Sequence, residues 1–231
     1  MRIVGTFIAI LLTLCTMREA RAQEHLYSVS FSGGFTTSSK LFRQPGNPDE
    51  FVRSEYLPLN DLFSAGIDVR RTIEELRIQL GLSIEYITKT EDRLDEAMIP
   101  VRDGFTAIPL ELSGYFMIPV GSERVQVYMG AGAGAYFGRR NFAKAFTDAM
   151  TVERSVGYGI HILGGFQYAL NPSLGLRSEL KFRDVQFETV NAFSAQTVDY
   201  LGTSVVLNPD RFSSRVNIDG MLLSLGLVYS F

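Results

Sequence analysis

The last eleven residues of the chain constrain its fold more than any other segment, because apolar side chains stand there at every second position. The apolar positions between Met221 and the end of the chain are Leu223, Leu225, Leu227, Tyr229 and Phe231. Successive side chains of a β-strand point to opposite faces of a sheet, so this spacing predicts a strand with one continuous apolar face. The other face carries small or polar residues such as Ser224 and Gly226. Such a strand needs an apolar surrounding along one whole side.

The N-terminal segment has the features of a secretory signal. An apolar run, Ile3–Leu14, is followed by Ala20–Ala22, which has the small-x-small form of a signal-peptidase site. A membrane anchor is the alternative, but the run is shorter than the roughly 20 residues that a spanning helix needs. We therefore expect residues 1–22 to be removed and residues 23–231 to form one domain. Cys15, the single cysteine, lies in the signal, so no disulfide is expected in the exported chain.

Composition excludes some partners and one route into a membrane. The chain is mildly acidic, with a formal net charge of -3, and has no basic cluster suited to phosphate backbones. Nucleic acid is therefore not an expected partner. After the signal, no apolar run approaches the length of a transmembrane helix. A membrane location would have to be reached through strands.

About eight segments of the chain alternate in this way, each close to the ~9–11 residues that a tilted strand needs to cross a bilayer. They begin near residues 27, 63, 76, 108, 125, 156, 174 and 221. The third is the most regular: Leu76, Ile78, Leu80, Leu82, Ile84 and Tyr86 alternate with Arg77, Gln79, Gly81, Ser83 and Glu85. An even number of antiparallel strands is what closure into a barrel requires.

The connections between these segments alternate in length. Short turns are predicted at Arg71–Glu75, Gly121–Arg124 and Asn171–Ser173. Long polar loops are predicted at Ser38–Asn60, Lys89–Gly104, Arg139–Arg154 and Asn191–Ser214. Short turns on one side and long loops on the other are typical of outer-membrane barrels.

With these segments the chain resembles the small eight-stranded outer-membrane β-barrel family, which includes the OmpA-like and porin-like barrels. The most family-like segments are Ile108–Leu112, Gly130–Phe137 and Leu225–Phe231. The resemblance implies an all-β, antiparallel up-and-down transmembrane barrel in the bacterial outer membrane, with short periplasmic turns and long extracellular loops. It also implies a monomer surrounded by outer-membrane lipids. The barrel-assembly machinery would recognise the last strand through Leu223, Leu225, Leu227, Tyr229 and Phe231.

The polar face of the strands would then share a narrow lumen, which in an eight-stranded barrel has room only for side chains. The charged residues predicted there are Asp68, Arg70, Arg77, Glu85, Glu111, Arg177, Glu179, Lys181 and Arg183. Buried charges persist when they are paired, so we expect an ion-pair network that plugs the lumen. A narrow channel, or a conduit for small molecules including apolar ones, would use the same residues.

His161 is the only histidine placed on a predicted strand, and its parity points it into the lumen. Lipid-modifying enzymes of this barrel size use a histidine with a serine and an acid, which makes His161 the residue to consider for catalysis. The serine expected two positions further on is replaced by Leu163. We therefore expect a hydrogen-bonded interior imidazole and no enzyme. The sequence also predicts no cofactor site and no metal site.

The function expected from these features is structural, or one of interaction through the exposed loops. The loops carry mixed charges, including Arg43, Asp49, Glu50, Asp92 and Arg93, and loops on rigid scaffolds are where binding specificity commonly resides. The sequence does not indicate an extracellular partner. A secreted lipocalin-like barrel is the remaining alternative, and it would place the apolar face around an inner cavity.

Overall fold

The computed structural model describes residues 26–122, 124–207 and 209–231, so the predicted signal of residues 1–22 lies outside the described residues. The described chain consists almost entirely of strands, with one short helix, α1 (Glu50–Ser54), and one 3-10 turn, Glu74–Leu76. The strands are β1 (Tyr27–Phe42), β2 (Tyr56–Ile73), β3 (Ile78–Leu94), β4 (Pro100–Ser122), β5 (Val125–Lys144), β6 (Thr147–Asp148), β7 (Met150–Arg154), β8 (Val156–Ala169), β9 (Leu174–Ala192), β10 (Thr197–Tyr200), β11 (Thr203–Val206), β12 (Phe212–Ile218) and β13 (Met221–Ser230). No helix of the described residues is long and apolar enough to cross a membrane.

Eight strand positions form a closed antiparallel ring. Strands β1 to β5 pair in order, β5 pairs with β8, and β8 pairs with β9. Strands β12 and β13 act as two halves of the eighth position, because both pair with β9 on one side and with β1 on the other. The predicted eight-stranded up-and-down barrel is confirmed. The small strands β6, β7, β10 and β11 lie at the end with the long connections, which we call the outer mouth.

Both described ends of the chain meet at the opposite rim. The amide of Tyr27 donates to the carbonyl of Phe231 at 3.1 Å, and the amide of Phe231 donates back to Tyr27 at 2.9 Å. The rings of these two residues stack 6.1 Å apart, and Tyr229 stacks on Phe231. The terminal strand therefore closes the barrel on the side of the short turns.

The strands extend much further toward the outer mouth than the sequence predicted. Strand β1 continues to Phe42 and β2 begins at Tyr56, so much of the predicted loop Ser38–Asn60 is a hairpin of the barrel. The cause of the error is a slip in the alternation. Thr36 and Ser39 are both buried although they are three positions apart, and the same is true of Leu59 and Leu62 on β2.

Asp61 explains how β2 makes this slip. It has a positive φ of 58°, in the left-handed region that aspartate tolerates better than most residues. One residue in this conformation turns the strand so that the next inward residue arrives after three positions instead of two. A strict two-residue pattern ends there, although the ladder between β1 and β2 continues to Phe42 and Tyr56.

The outer wall of the barrel is apolar and uncovered. Exposed fractions of 63% for Phe31, 69% for Phe63, 64% for Leu112, 73% for Ile160 and 63% for Leu225 are the reverse of what a water-soluble core would show. Charged side chains of the same strands lie inside, as Asp68, Glu111 and Arg183 do. This arrangement is opposite to that of a lipocalin-like barrel, where the apolar face lines a cavity.

Candidate functional site in the barrel lumen and at its outer mouth

Strand β9 supplies the centre of the lumen because it presents charged residues at every second position. Arg177, Glu179, Lys181 and Arg183 all face inward. Their partners stand on β2, β3 and β4, across the narrow interior. We call the set the lumen network: Asp68, Arg70, Glu85, Glu111, Arg177, Glu179, Lys181 and Arg183.

The half of the lumen network nearer the short turns contains two carboxylates and two arginines. Asp68 Oδ1 accepts from Arg70 Nε at 2.5 Å and from Arg177 Nη1 at 2.7 Å, and Arg70 Nη2 reaches Glu179 Oε1. The guanidinium of Arg70 lies over the ring of Tyr115, 3.7 Å from its centroid. Tyr128 donates its hydroxyl to Glu179 at 2.7 Å. Every carboxylate here has both an arginine and a tyrosine or second arginine in contact.

The half nearer the outer mouth repeats this balance. Lys181 Nζ donates to Glu111 Oε2 at 2.5 Å, and Arg183 Nη1 donates to Glu85 Oε2 at 2.8 Å. The hydroxyl of Tyr136 also donates to Glu111. Opposite charges at these distances, away from bulk water, attract strongly enough to offset much of the cost of burying them.

Arg77 does not belong to the lumen network, which corrects its predicted place. It is exposed and sits in the turn between β2 and β3, with a positive φ of 53° and its amide donating to Glu74 at 3.0 Å. Leu76 lies in the 3-10 turn and strand β3 begins at Ile78. The alternation already starts at Leu76, two residues before the strand, so the pattern alone could not locate the turn.

His161 is buried in the lumen and hydrogen-bonded, as its parity predicted. Its Nε2 lies 2.8 Å from Ser113 Oγ, and its Nδ1 lies 3.8 Å from Glu111 Oε1, too far for a hydrogen bond. These three side chains have the composition of a catalytic triad. Glu111 is already engaged by Lys181, however, and Ser113, His161 and Glu111 are each no more than 3% exposed. Such a serine offers no surface to a substrate.

Sequence reasoning missed Ser113 as the partner of His161. The two residues stand on β4 and β8, with β5 between them, so no local spacing joins them. The sequence feature that marks this contact is Gly132 of β5, which pairs in register with Ser113 on one side and His161 on the other. A Cβ on Gly132 would lie 2.7 Å from His161 Nε2. Likewise, a Cβ on Gly134 would lie 2.8 Å from Glu111 Cγ. The alternating glycines of β5 therefore make the room that the lumen network and His161 occupy.

An apolar layer separates the lumen network from the outer mouth. Its buried side chains are Leu41, Leu59, Leu62, Ile87, Phe105, Ala107, Tyr136, Val185, Phe187, Val216 and Ile218. Phe105 and Phe187 pack edge to face, with centroids 6.1 Å apart. A cavity beside Glu85 and Lys181 measures about 40 Å³, room for very few water molecules.

The outer mouth contains a second charged group, which we call the outer cluster: Asp103, Arg43, Arg93 and Arg140. Asp103 is fully buried and accepts two hydrogen bonds from Arg140, at 2.8 Å and 2.7 Å. Arg43 Nε and Arg93 Nη2 approach the same carboxylate at 3.6 Å and 3.8 Å. Burial, together with the like charges of Arg93 and Arg140, lowers the pKa of Arg43.

A pocket of about 660 Å³ opens beside the outer cluster, and we call it the mouth pocket. Arg43, Arg140 and Lys144 line it together with the aromatic rings of Phe142, Phe193 and Phe212 and with Leu207. Val206, the last residue of β11, lines it too, and Val205 and Leu207 are buried in one apolar cluster with Phe193. The described residues contain no cluster of histidine, cysteine or carboxylate side chains able to hold a metal ion.

The residues predicted as an assembly signal stand on the outer wall of β13 and at the end of the chain. Leu223, Leu225, Leu227 and Phe231 are between 49% and 63% exposed. Tyr229 pairs in register with Val29 of β1 and with Leu174 of β9. Their recognition by the assembly machinery stays a prediction.

No protein-family model matches the sequence, and a search of curated proteins finds no match. Solved structures do match. The outer membrane protein OprG from Pseudomonas aeruginosa has a TM-score of 0.64 to this chain at 12% sequence identity, covering 92% of this chain and 99% of OprG. Neisserial surface protein A has a TM-score of 0.48 at 15% identity, covering 89% and 97%. Ail of Yersinia pestis has a TM-score of 0.46 at 13% identity, covering 90% and 100%.

The likeness to OprG is one of fold. The chain therefore has the fold of a small outer-membrane β-barrel. Folds of this kind host many functions, so the role has to be inferred from the lumen and the outer mouth.

Proposed function

We propose that the protein is a monomeric barrel of the bacterial outer membrane with a closed lumen and a structural or interaction role exercised at its extracellular end. Its apolar outer wall supports the membrane location, because exposed side chains such as Phe63 and Ile160 gain a favourable surrounding in hydrocarbon. The rim formed by Tyr27, Tyr229 and Phe231 has the amphipathic character suited to a headgroup interface.

One observation carries the closed lumen: the lumen network is balanced. It contains four carboxylates and four cationic side chains, and each carboxylate lies within 2.8 Å of a cation. An ion crossing this layer would have to displace paired charges that have no water to replace their partners. The apolar layer stands in series with the lumen network and adds a second barrier.

The extracellular end supports an interaction role because its surface is formed by ordered strands. The long hairpins continue the barrel wall, and the β10–β11 hairpin shares a second apolar cluster with Phe142 of β5 and Phe212 of β12. A binding surface held by strands loses little conformational freedom on binding a partner.

A conduit for small apolar molecules is the second candidate, and the apolar layer is the observation that favours it. Leu41, Ile87 and Phe105 would suit such a passenger. The lumen network would still stop it, because an apolar molecule cannot compensate Asp68 or Arg177 for lost partners.

Ion current through purified protein tests the closed lumen. Protein reconstituted in planar bilayers should carry no steady current, and co-migration of the same preparation with liposomes on a density gradient should show that it is inserted. The double variant Phe105→Ala and Phe187→Ala removes bulk from the apolar layer but keeps the lumen network, and it should also stay closed. A steady current through the parent protein would overturn the proposal.

A further inference from the structure

The outer cluster differs from every other charged group described above in being unbalanced. Three guanidinium groups, those of Arg43, Arg93 and Arg140, approach the single carboxylate of Asp103. Arg140 uses Nε and Nη2 on Asp103 and donates Nη1 to Ser214 Oγ at 2.8 Å, so its hydrogen bonds are largely used. Arg43 and Arg93 remain at the longer distances of 3.6 Å and 3.8 Å. The cluster therefore keeps a surplus of positive charge.

Neighbouring acids compensate little of this surplus: Glu55 attracts Arg43, but its effect is smaller than the repulsion of Arg43 by Arg93 and Arg140. Asp95 lies 3.1 Å from Lys144, and Glu153 lies 2.7 Å from Arg211, so each of these carboxylates has a cation of its own. No carboxylate lines the mouth pocket among the described residues, whereas Arg43, Arg140, Lys144 and Arg211 do. An anion entering the pocket would meet cationic side chains and no acidic one.

Arg43 has unused hydrogen-bonding capacity at this place. Its Nε is buried and has no hydrogen-bond partner among the described residues. Its side chain keeps 30% of its surface exposed, so the guanidinium can be reached from the pocket. A buried donor without a partner costs free energy, so Arg43 is not satisfied by the outer cluster itself.

The rest of the mouth pocket is suited to an apolar body. Phe142 lies 5.7 Å from Phe193 and 5.6 Å from Phe212, measured between ring centroids, so the three rings form one aromatic wall. The guanidinium of Arg140 sits 4.5 Å from the Phe142 centroid, which places positive charge at the edge of this wall. A pocket of about 660 Å³ is within the range of sites for small organic ligands.

We propose that the mouth pocket binds a small amphipathic anion, with its carboxylate held by Arg43 beside Arg140 and its flat apolar body against Phe142, Phe193 and Phe212. This inference deepens the proposed interaction role and rests on the extracellular end being the interacting surface. Guanidinium groups match the planar geometry of a carboxylate, and the aromatic wall distinguishes such a ligand from a simple inorganic anion.

Calorimetry with 2-naphthoate tests the site, using the full exported chain in lipid nanodiscs and empty nanodiscs as the blank. We expect saturable binding of 2-naphthoate. Two comparison compounds should bind more weakly: 2-naphthalenemethanol, which has the naphthalene ring without the charge, and inorganic phosphate, which has the charge without the ring. Equal binding of the alcohol, equal binding of phosphate, or no binding of 2-naphthoate would each overturn the proposal.

Variants locate the bound anion. Arg43→Gln should weaken 2-naphthoate about tenfold, the effect of losing one charge-assisted hydrogen bond. Phe212→Leu should weaken it several-fold by removing part of the aromatic wall. Arg102→Gln is the matched control, because Arg102 adjoins Asp103 in sequence but pairs with exposed Asp92 on the outer wall. Unchanged affinity in Arg43→Gln, or an equal loss in Arg102→Gln, would contradict the site.

Two further measurements on the same samples distinguish a loss of folding from a loss of function. The change of electrophoretic mobility on boiling shows whether each variant is a folded barrel. Ion current, measured separately, tests the closed lumen. Absence of both current and binding would refute the mouth pocket alone, whereas a steady current with intact binding would refute the closed lumen alone.

Discussion

The lumen network and the outer cluster are both groups of buried charges inside one barrel, yet they differ in balance. In the lumen network four carboxylates meet four cations at short distances. In the outer cluster Asp103 is shared by three arginines, two of them beyond hydrogen-bond distance. A group with balanced charge neutralises itself and fills the space around it. An unbalanced group keeps part of its charge available for a ligand.

Burial follows the same division. Arg70 and Arg183 of the lumen network have side chains no more than 1% exposed, whereas Arg43 and Arg93 have 30% and 38%. Water can therefore lessen the repulsion among the arginines of the outer cluster, which is how the surplus charge is tolerated. The lumen has no such relief, so its charges must be matched.

Breaking one pair in the lumen network should have the largest effect on stability. Glu111→Ala would leave Lys181 unpaired and Tyr136 without its acceptor. We expect the free energy of unfolding to fall by about 3–5 kcal/mol, as for other buried pairs that lose one partner. Urea unfolding in lipid vesicles measures it. The control Glu188→Gln breaks an exposed pair with Arg215 and should cost less than about 1 kcal/mol. Equal losses of stability in the two variants would contradict the claim that the paired charges of the lumen network stabilise the fold.

Removing the carboxylate of the outer cluster should have a smaller effect that a ligand can reverse. Asp103→Asn leaves three arginines without a counter-charge, but two of them are partly exposed, so we expect a loss of about 2–3 kcal/mol. Saturating 2-naphthoate should raise the unfolding midpoint of this variant more than that of the parent. A smaller rise in the variant would count against an anion held by the arginines.

A methyl group added to the inner wall should lower the stability of the barrel, whereas a methyl group added to the outer wall should not. In Gly132→Ala the new Cβ would lie 2.2 Å from the Leu112 carbonyl oxygen, which is backbone and cannot swing away. We expect a loss of about 1–3 kcal/mol, typical of an overfilled core. Gly114→Ala on the outer wall meets nothing within 4 Å and should change stability by less than about 0.5 kcal/mol. Thermal unfolding of both variants decides the matter, and similar midpoints would argue against tight inner packing.

The smallest effect is expected at Lys40, whose ion pair lies on the outside of the wall near the alternation slip. Lys40 donates to Asp219 at 2.5 Å, and this hydrogen bond raises the pKa of Lys40. A raised folded-state pKa stabilises the fold below the ordinary value of 10.5, and this stabilisation disappears as pH rises through the folded-state pKa. Lys40→Met should therefore lower stability by less than about 1 kcal/mol at neutral pH and not at all in strong alkali. A stability difference between Lys40→Met and the parent protein that increased with pH would contradict this expectation.

The eight-stranded part of the barrel could be predicted from sequence because alternation is a direct consequence of strand geometry. The eight segments, and the inward parity of residues such as Glu111 and Arg183, follow from a period of two. The error at Arg77 arises because the alternating pattern begins two residues before strand β3 does. A turn that uses a left-handed residue leaves no mark in hydrophobicity.

The outer cluster could not be predicted in the same way. The slip at Thr37 and Asp61 ends the regular pattern on β1 and β2, so the residues beyond it looked like loops. Asp103 and Arg140 fell within predicted loops, and only the pairing of β4 with β5 brings them to the same face. Contacts between distant strands depend on register, which a single sequence does not reveal.

Both regions depend on one assignment, that lipid solvates the apolar wall and the charged side chains face inward. Because Cys15 lies in the predicted signal, single cysteines can be placed in a cysteine-free exported chain, one at Leu225 on the apolar wall and one at Thr90 on the outer extension. A fluorophore at Leu225→Cys should be quenched by brominated lipids and protected from aqueous iodide, and the reverse should hold at Thr90→Cys. Iodide quenching at Leu225→Cys without quenching by lipid would contradict the membrane barrel.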